Sequence, residues 1–413
     1  MRVTIPDGQH TMSSASAAPE LRLRRGEDRR LRAGHLWVFS NEIDVAATPL
    51  TAFAPGAHAR LLSDRGQFLG HVYVNPHALI CARVLSHNEQ EPIDRALLVR
   101  RLRAALAWRE RISKVPFYRL VFGESDGLPG LVLDRYDDVL VGQIATAGME
   151  ALRGELEAAI VEVLAPRALV WRNNSSARDL EQLPKEVMAA IGELPAELSV
   201  VEGGLHYTVP LADAQKTGWF FDQTSNRSRL AAFLPPGARV LDVCSYAGAW
   251  ALTALAAGAR TATCVDASAA ALAIAQRNAI ANGYTLDGQF QTHHGDAFEV
   301  LDALHAAGER FDAIILDPPA FIKRRKDAPR GQAAYRKLNQ QALRLLSDEG
   351  LLVSCSCSYH IGEGELLSLI QTAARHAQRF VQVVAVGGQS PDHPLHPAIP
   401  ETRYLKAFFC RVT

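Results

Sequence analysis

The chain has 413 residues, 48% of them hydrophobic and 21% charged, and no apolar stretch long enough to cross a bilayer. Basic and acidic residues number 44 each, so the formal net charge is zero. That balance excludes a protein that coats nucleic acid through bulk charge, while leaving room for local basic patches.

A chain of this length exceeds one ordinary core and is expected to divide into two or three domains. Residues 1–19 are polar and small and lack the apolar centre of a secretory signal. They read as a disordered leader, with Met12 as an alternative start. The six cysteines (Cys81, Cys244, Cys264, Cys355, Cys357, Cys410) have no disulfide-framework spacing. With no export signal they are expected as reduced thiols in the cytoplasm. Cys355-Ser356-Cys357 is not a Cys-x-x-Cys pair, so no structural metal is expected.

Residues 20–88 show short strands punctuated by glycine, at 34–39, 59–62 and 68–74, which predicts a small β-rich domain. Arg22, Arg24, Arg25, Arg29, Arg30 and Arg32 crowd its start, and Trp37 is expected in its core. Residues 89–200 predict an α+β domain. Its elements are a helix over 94–114, strands at 131–134 and 139–142 around a turn at 136–138, an amphipathic helix over 149–164 and a strand at 168–171.

Residues 201–413 alternate strand and helix. Strands are expected at 240–243, 261–265, 290–293, 313–316, 351–354 and 381–386. Ser268 caps one helix, and Gly258 and Gly283 close two. The spacing predicts a doubly wound α/β fold, a parallel sheet with helices on both faces and a last strand, 404–411, as an antiparallel edge. Ligands of such sheets bind beyond the carboxyl ends of the strands.

Four acids stand at those ends: Asp242, Asp266, Asp296 and Asp317. The first strand runs into Asp242-Val243-Cys244-Ser245-Tyr246-Ala247-Gly248, in which only Gly248 remains of a glycine-rich turn. A dinucleotide site needs more glycine, for close approach to a pyrophosphate. A cationic ligand without phosphate fits the acids better, and S-adenosylmethionine is such a ligand. Asp266 suits the ribose hydroxyls and Asp296 the adenine amino group, while a lone Asp at any of these positions also reads as a helix cap.

Two further features surround the end of the sheet. Asp317-Pro318-Pro319 leaves one strand and is followed by the basic run Lys323-Arg324-Arg325-Lys326. The neighbouring strand carries Cys355 and Cys357, which strand alternation puts on one face, so periodicity does not separate them. A thiolate adding at C6 of cytosine puts electron density on C5, which a sulfonium methyl can then meet; methylation of an exocyclic amine needs no thiol.

Five segments together resemble the bacterial 23S rRNA cytosine-C5 methyltransferases, which combine an N-terminal PUA domain, a middle α+β domain and a class I methyltransferase domain. They are 34–39 (Gly-His-Leu-Trp-Val-Phe), 123–132 (Gly-Glu-Ser-Asp-Gly-Leu-Pro-Gly-Leu-Val), 216–223 (Lys-Thr-Gly-Trp-Phe-Phe-Asp-Gln), 317–321 (Asp-Pro-Pro-Ala-Phe) and 356–358 (Ser-Cys-Ser). The resemblance implies that Cys357 is the nucleophile and that Asp317 holds the polar edge of the target base. Phe220, Asp222 and Gln223 would wall the cofactor pocket, to which the turn after the first strand adds Tyr246 and Gly248. The resemblance further implies RNA contacts from Arg22, Arg24, Arg25, Arg29 and Arg30, and from Lys323, Arg324 and Arg325. Ala320 stands where related RNA cytosine methyltransferases carry a second, product-releasing cysteine, and no general base is assigned. The expected product is 5-methylcytosine in 23S rRNA, from a cytoplasmic monomer or homodimer without a membrane anchor. The rival readings are an RNA methyltransferase acting on another base or an exocyclic amine, and a non-catalytic RNA-binding assembly factor.

Overall fold

A computed structural model describes residues 18–211 and 217–413. Residues 1–17 of the expected leader, Met12 included, and Lys216 of the Lys-Thr-Gly match lie outside the described residues. The chain divides into two compact units, Met1–Ile93 and Asp94–Thr413.

In the first unit β1 (Glu20–Arg22), β2 (Trp37–Phe39), β3 (Ala57–Leu62), β4 (Phe68–Val74) and β5 (Ile80–Ser86) form a sheet in the order β1-β3-β4-β5-β2. β1 lies parallel to β3 and the other pairs are antiparallel. Leu21, Leu23, Val38, Leu61, Val72 and Val84 are buried in it. Trp37, expected in the core, is only half-buried, edge-on to His35 with 5.6 Å between ring centroids. It sits on β2, the outermost strand, where neighbours cover one side only.

The second unit opens with the helix Arg95–Ile112, begun by Asp94, whose side chain accepts the Leu97 amide at 2.9 Å. β6 (Phe117–Phe122), β7 (Leu131–Tyr136), β8 (Val139–Ile144), β9 (Ala168–Asn173) and β10 (Glu186–Ile191) follow, ordered β10-β9-β8-β7-β6. β11 (Glu197–Glu202) and β12 (Leu205–Pro210) make a separate hairpin. The expected boundary between residues 200 and 201 falls inside β11. Val141 and Val170 of the middle sheet share one core with Val200 of the hairpin and with Val240 and Ala251 beyond it.

The last sheet contains β13 (Arg239–Val243), β14 (Thr261–Asp266), β15 (Phe290–His294), β16 (Phe311–Leu316), β17 (Leu346–Ser356), β18 (Val381–Gly388) and β19 (Lys406–Val412). Its order is β15-β14-β13-β16-β17-β19-β18. Neighbours are parallel except around β19, which runs against both β17 and β18. The antiparallel last strand is therefore not at the edge, as expected, but one place inside it. The crossover after β17, through the helix Glu363–Ala377, leaves one strand position open, and β19 returns to fill it. This insertion sets the first residue of β19, Lys406, opposite Ser356 at the tip of β17. Ser268 caps its helix as expected, accepting the Ala271 amide at 3.2 Å.

Candidate active site

The turn leaving β13 is tightly wound: Cys244, Tyr246 and Gly248 have φ of 63°, 48° and 80°. The first two hold the left-handed region without the freedom of glycine, a strained arrangement typical of ligand sites. At Gly248 a Cβ would stand 3.0 Å from that of Ala275, so close packing as well as φ calls for glycine there. The Tyr246 hydroxyl donates to the Gly218 carbonyl at 3.0 Å, and its ring meets Phe220 edge-on at 5.4 Å.

Asp242 is buried at the end of β13. Its Oδ2 accepts the Ala251 amide at 3.2 Å, while Oδ1 has no hydrogen-bond partner among the described residues. Burial, then the nearby carboxylates of Asp317 and Asp266, push its pKa up to about 8. Asp266 accepts the Tyr246 and Ser268 amides, each at 2.9 Å. Asp296 is exposed and caps the helix Ala297–Ala306, its Oδ1 accepting from the amides of Phe298 at 2.9 Å and Glu299 at 3.4 Å. The four acids nevertheless converge. The thiol of Cys244 is pushed up by burial and then by Asp266, Asp317, Asp242 and Asp296 in turn.

Asp317 follows β16 and is held at both oxygens. Gln223 Nε2 donates to Oδ1 at 2.9 Å and Trp250 Nε1 to Oδ2 at 3.0 Å. Burial raises its pKa against the pull of the Trp250 hydrogen bond. Gln223 is itself fixed, its Oε1 accepting from Asn226 at 2.7 Å. Asp222 is buried and accepts from the Tyr404 hydroxyl at 2.5 Å. The structure thus brings Phe220, Gln223, Tyr246, Asp242, Asp266 and Asp317 around the carboxyl ends of β13, β14 and β16, with Asp222 in the same turn as Gln223.

This lining fits S-adenosylmethionine: the grouped side chains are acidic, aromatic or neutral, and one buried carboxylate oxygen, Asp242 Oδ1, lacks a donor. The sign of the linkage follows. Asp242 titrates near 8 in the fold, far above the ordinary carboxylate value, so at pH 6 it carries a proton. A cation selects the ionised form and expels that proton, so affinity rises with pH. Between pH 5.5 and 7 the expected gain is about ten-fold per unit, one proton being released per ligand bound. Calorimetric titration with S-adenosylmethionine in buffers of different ionisation enthalpy measures both; a flat affinity would show Asp242 already ionised.

Cys357 is the first residue past β17, half-buried, with Sγ 3.9 Å from the Pro318 carbonyl oxygen. The strand ends at Ser356, so the alternation that put both cysteines on one face does not extend to Cys357. Cys355 is 1% exposed, and burial, then Asp317, holds its thiol well above the usual value. The flanking serines lock the turn. Ser356 Oγ donates to the Tyr335 hydroxyl at 2.9 Å, which lies 2.9 Å from Ser358 Oγ, itself the acceptor of the Ile322 amide at 3.1 Å. One network therefore ties the cysteine turn to the loop after Asp-Pro-Pro.

Trp250, Tyr335, Tyr404 and Lys406 were not singled out from sequence. Lys406 had a signal: it is a lone charge in the run Leu405-Lys406-Ala407-Phe408-Phe409-Cys410, and lysine is rarely buried without purpose.

The basic runs differ in use. Lys323, Arg324 and Arg325 are exposed, with Arg324 pairing Asp327 at 3.1 Å. In the first unit Arg30 turns inward, donating to Glu42 at 2.7 Å and the Trp37 carbonyl at 3.2 Å. Arg24 donates to the Ile43 carbonyl at 3.0 Å, and Arg22 lies 3.8 Å from Glu20. Arg25 and Arg29 are exposed, and Arg25 borders a cleft with Arg32 and Arg65. Among the described residues no His, Cys, Asp and Glu group is arranged to hold a metal, and no helix is long and apolar enough to cross a membrane.

Comparison with known proteins gives the family. Residues 21–87 match a PUA-like domain, and residues 181–411, more than half of the chain, match an S-adenosylmethionine-dependent methyltransferase family. The chain is 35% identical over 407 residues to ribosomal RNA large subunit methyltransferase I of Salmonella arizonae, covering 97% of this chain and 100% of the relative. The protein of that name from Aliivibrio fischeri is 34% identical, covering 94% and 98%. A solved structure from Streptococcus mutans, described as a SAM-dependent methyltransferase, shares the fold, with a TM-score of 0.79 at 21% identity over 95% of this chain and 100% of that one. A methyltransferase solved with S-adenosylhomocysteine gives the same TM-score over 96% and 100%. The chain belongs to the ribosomal RNA large subunit methyltransferase I family and is an S-adenosylmethionine-dependent methyltransferase with a PUA-like domain.

Proposed function

We propose that this chain methylates C5 of a cytosine in 23S rRNA, in the cytoplasm, with Cys357 as covalent nucleophile. The observation that carries the reading is the half-buried thiol of Cys357 set against the Pro318 carbonyl of the Asp-Pro-Pro turn, while Cys355 is sealed in the core. The bound cofactor supplies an electrophilic methyl group. The Cys357 thiolate forms a bond to C6, and the displaced π pair moves to C5, which takes the methyl. Loss of the C5 proton then expels the thiolate and restores the ring. Asp317, favoured in its neutral form by burial, can donate to N3 of the ring as negative charge grows there. The target base must leave its stack to reach the thiol. Exposed Arg25, Arg29, Lys323 and Arg325 suit phosphate contacts.

Incubating the protein with 23S rRNA and methyl-labelled S-adenosylmethionine, then digesting to nucleosides, tests this. The expected labelled product is 5-methylcytidine. Label in N4-methylcytidine or a methylated purine would overturn the covalent mechanism, and absence of any label would favour an assembly factor.

A further inference from the structure

Lys406 is 4% exposed. Its ammonium donates to two carbonyls, that of Ser358 at 2.5 Å and that of Tyr404 at 2.7 Å, and forms no ion pair among the described residues. A buried ammonium needs an anion, because two neutral carbonyls do not replace its hydration. The carboxylates that face it, both on the helix Glu363–Ala377, are engaged elsewhere. Glu363 pairs with Arg403, and Glu365 accepts the Gly362 amide at 2.8 Å. One of the two carbonyls belongs to the residue after Cys357, so β19 delivers this charge to the Ser-Cys-Ser turn.

We propose that Lys406 is a positioning residue that holds Cys357 as its thiolate, the thiolate being the anion this buried ammonium lacks. The proposal rests on the reading of Cys357 as nucleophile. In the resting site the neutral amine takes the thiol proton, giving an ammonium–thiolate pair. The charge on sulfur is consumed when the S–C6 bond forms and returns when that bond breaks, so the ammonium keeps its proton throughout the cycle. Burial lowers the Lys406 pKa to about 8, with the neighbouring Cys357 acting in the opposite sense, and a free thiol titrates near 8.5. The other titratable groups beside Cys357 are Tyr335, from the helix Ala328–Leu345, and Cys355 on β17; neither supplies a cation.

The test is the pH profile of Cys357 alkylation by iodoacetamide in the full chain. Peptide fragmentation separates Cys357 from Cys355, and the readout involves no methyl transfer. In the unsubstituted protein the expected midpoint lies at about 7.5 or below, against about 8.5 for free cysteine. Lys406→Met is expected to raise the midpoint by about one unit and slow alkylation at pH 7 about ten-fold, while Lys406→Arg retains the low midpoint. A purely structural role for Lys406 would leave the Lys406→Met midpoint where it was, and that result overturns the proposal. Should Lys406→Met fail to fold, the unsubstituted protein decides, since a midpoint at or above that of free cysteine overturns the proposal by itself. Failure of the nucleophile reading is distinguishable: methylation would survive in Cys357→Ala whatever the thiol profile.

Discussion

Replacing Cys357 with alanine is expected to abolish methyl transfer, by about 10⁴-fold or more, while S-adenosylmethionine binds with affinity unchanged within about two-fold. Without sulfur at that position nothing activates C5, and cytosine C5 is too weak a nucleophile to meet a sulfonium methyl unaided. The residues proposed to border the cofactor, by contrast, stand on β13, β14 and the turn at Gln223, and the hydrogen bonds of Gln223 to Asp317, Tyr246 to Asp266 and Ala251 to Asp242 do not involve the thiol. Cys357 is half-buried, so its loss is expected to change stability by about 1 kcal/mol or less. Cys355→Ala makes the contrast, because that thiol fills a core position among Val353, Ala407 and Phe409. Its removal is expected to lower thermal stability while methylation continues. Transfer of labelled methyl, calorimetry and thermal melting on the two variants measure all three effects, and methylation by Cys357→Ala would sink the covalent mechanism.

Asp317→Asn is expected to lower kcat by about 10²–10³-fold with saturating RNA and cofactor. The substitution is nearly isosteric, but Gln223 Nε2 and Trp250 Nε1 both donate to the carboxylate. An amide offers one acceptor and turns a second donor on its neighbour, leaving a buried N–H unpaired at a cost of about 1–3 kcal/mol. The amide also lacks an ionisable proton, whereas burial shifts Asp317 towards its protonated form. Steady-state kinetics and a melting curve separate the two contributions. A kcat within three-fold of the unsubstituted enzyme would remove Asp317 from the chemistry.

Much of the framework was legible in the sequence because it depends on local pattern. The strands β13, β14 and β16 read as short apolar runs, and their acids fell at the ends, where ligands of parallel sheets bind. The Ser268 cap and the left-handed glycines at 258 and 283 are set by neighbouring residues alone. β6 and β10 were not foreseen, their burial following no alternation; the β11–β12 hairpin was missed although Leu198, Val200, Tyr207 and Val209 alternate inward on either side of Gly203-Gly204. Arg30 read as an RNA contact, and its ion pair with Glu42 was not legible in the sequence. Asp296 read as a cofactor ligand from its register with the other three acids, and in the structure its Oδ1 accepts from two amides of the following helix.

By itself, then, the sequence determined the doubly wound sheet, the acids at its glycine-poor strand ends and the pairing of Asp-Pro-Pro with Ser-Cys-Ser, because period, turn chemistry and side-chain charge are local properties. The Ser-Cys-Ser match singled out Cys357 over Cys355, and only the tertiary structure shows Cys355 sealed in the core and Cys357 half-buried, because burial at the tip of β17 depends on what packs over it. The tertiary structure also decided that β19 lies inside the edge strand, since strand order follows from which crossover leaves a gap. That insertion brings Lys406, 48 residues along the chain from Ser358, within hydrogen-bond range of its carbonyl, a juxtaposition that no sequence window contains.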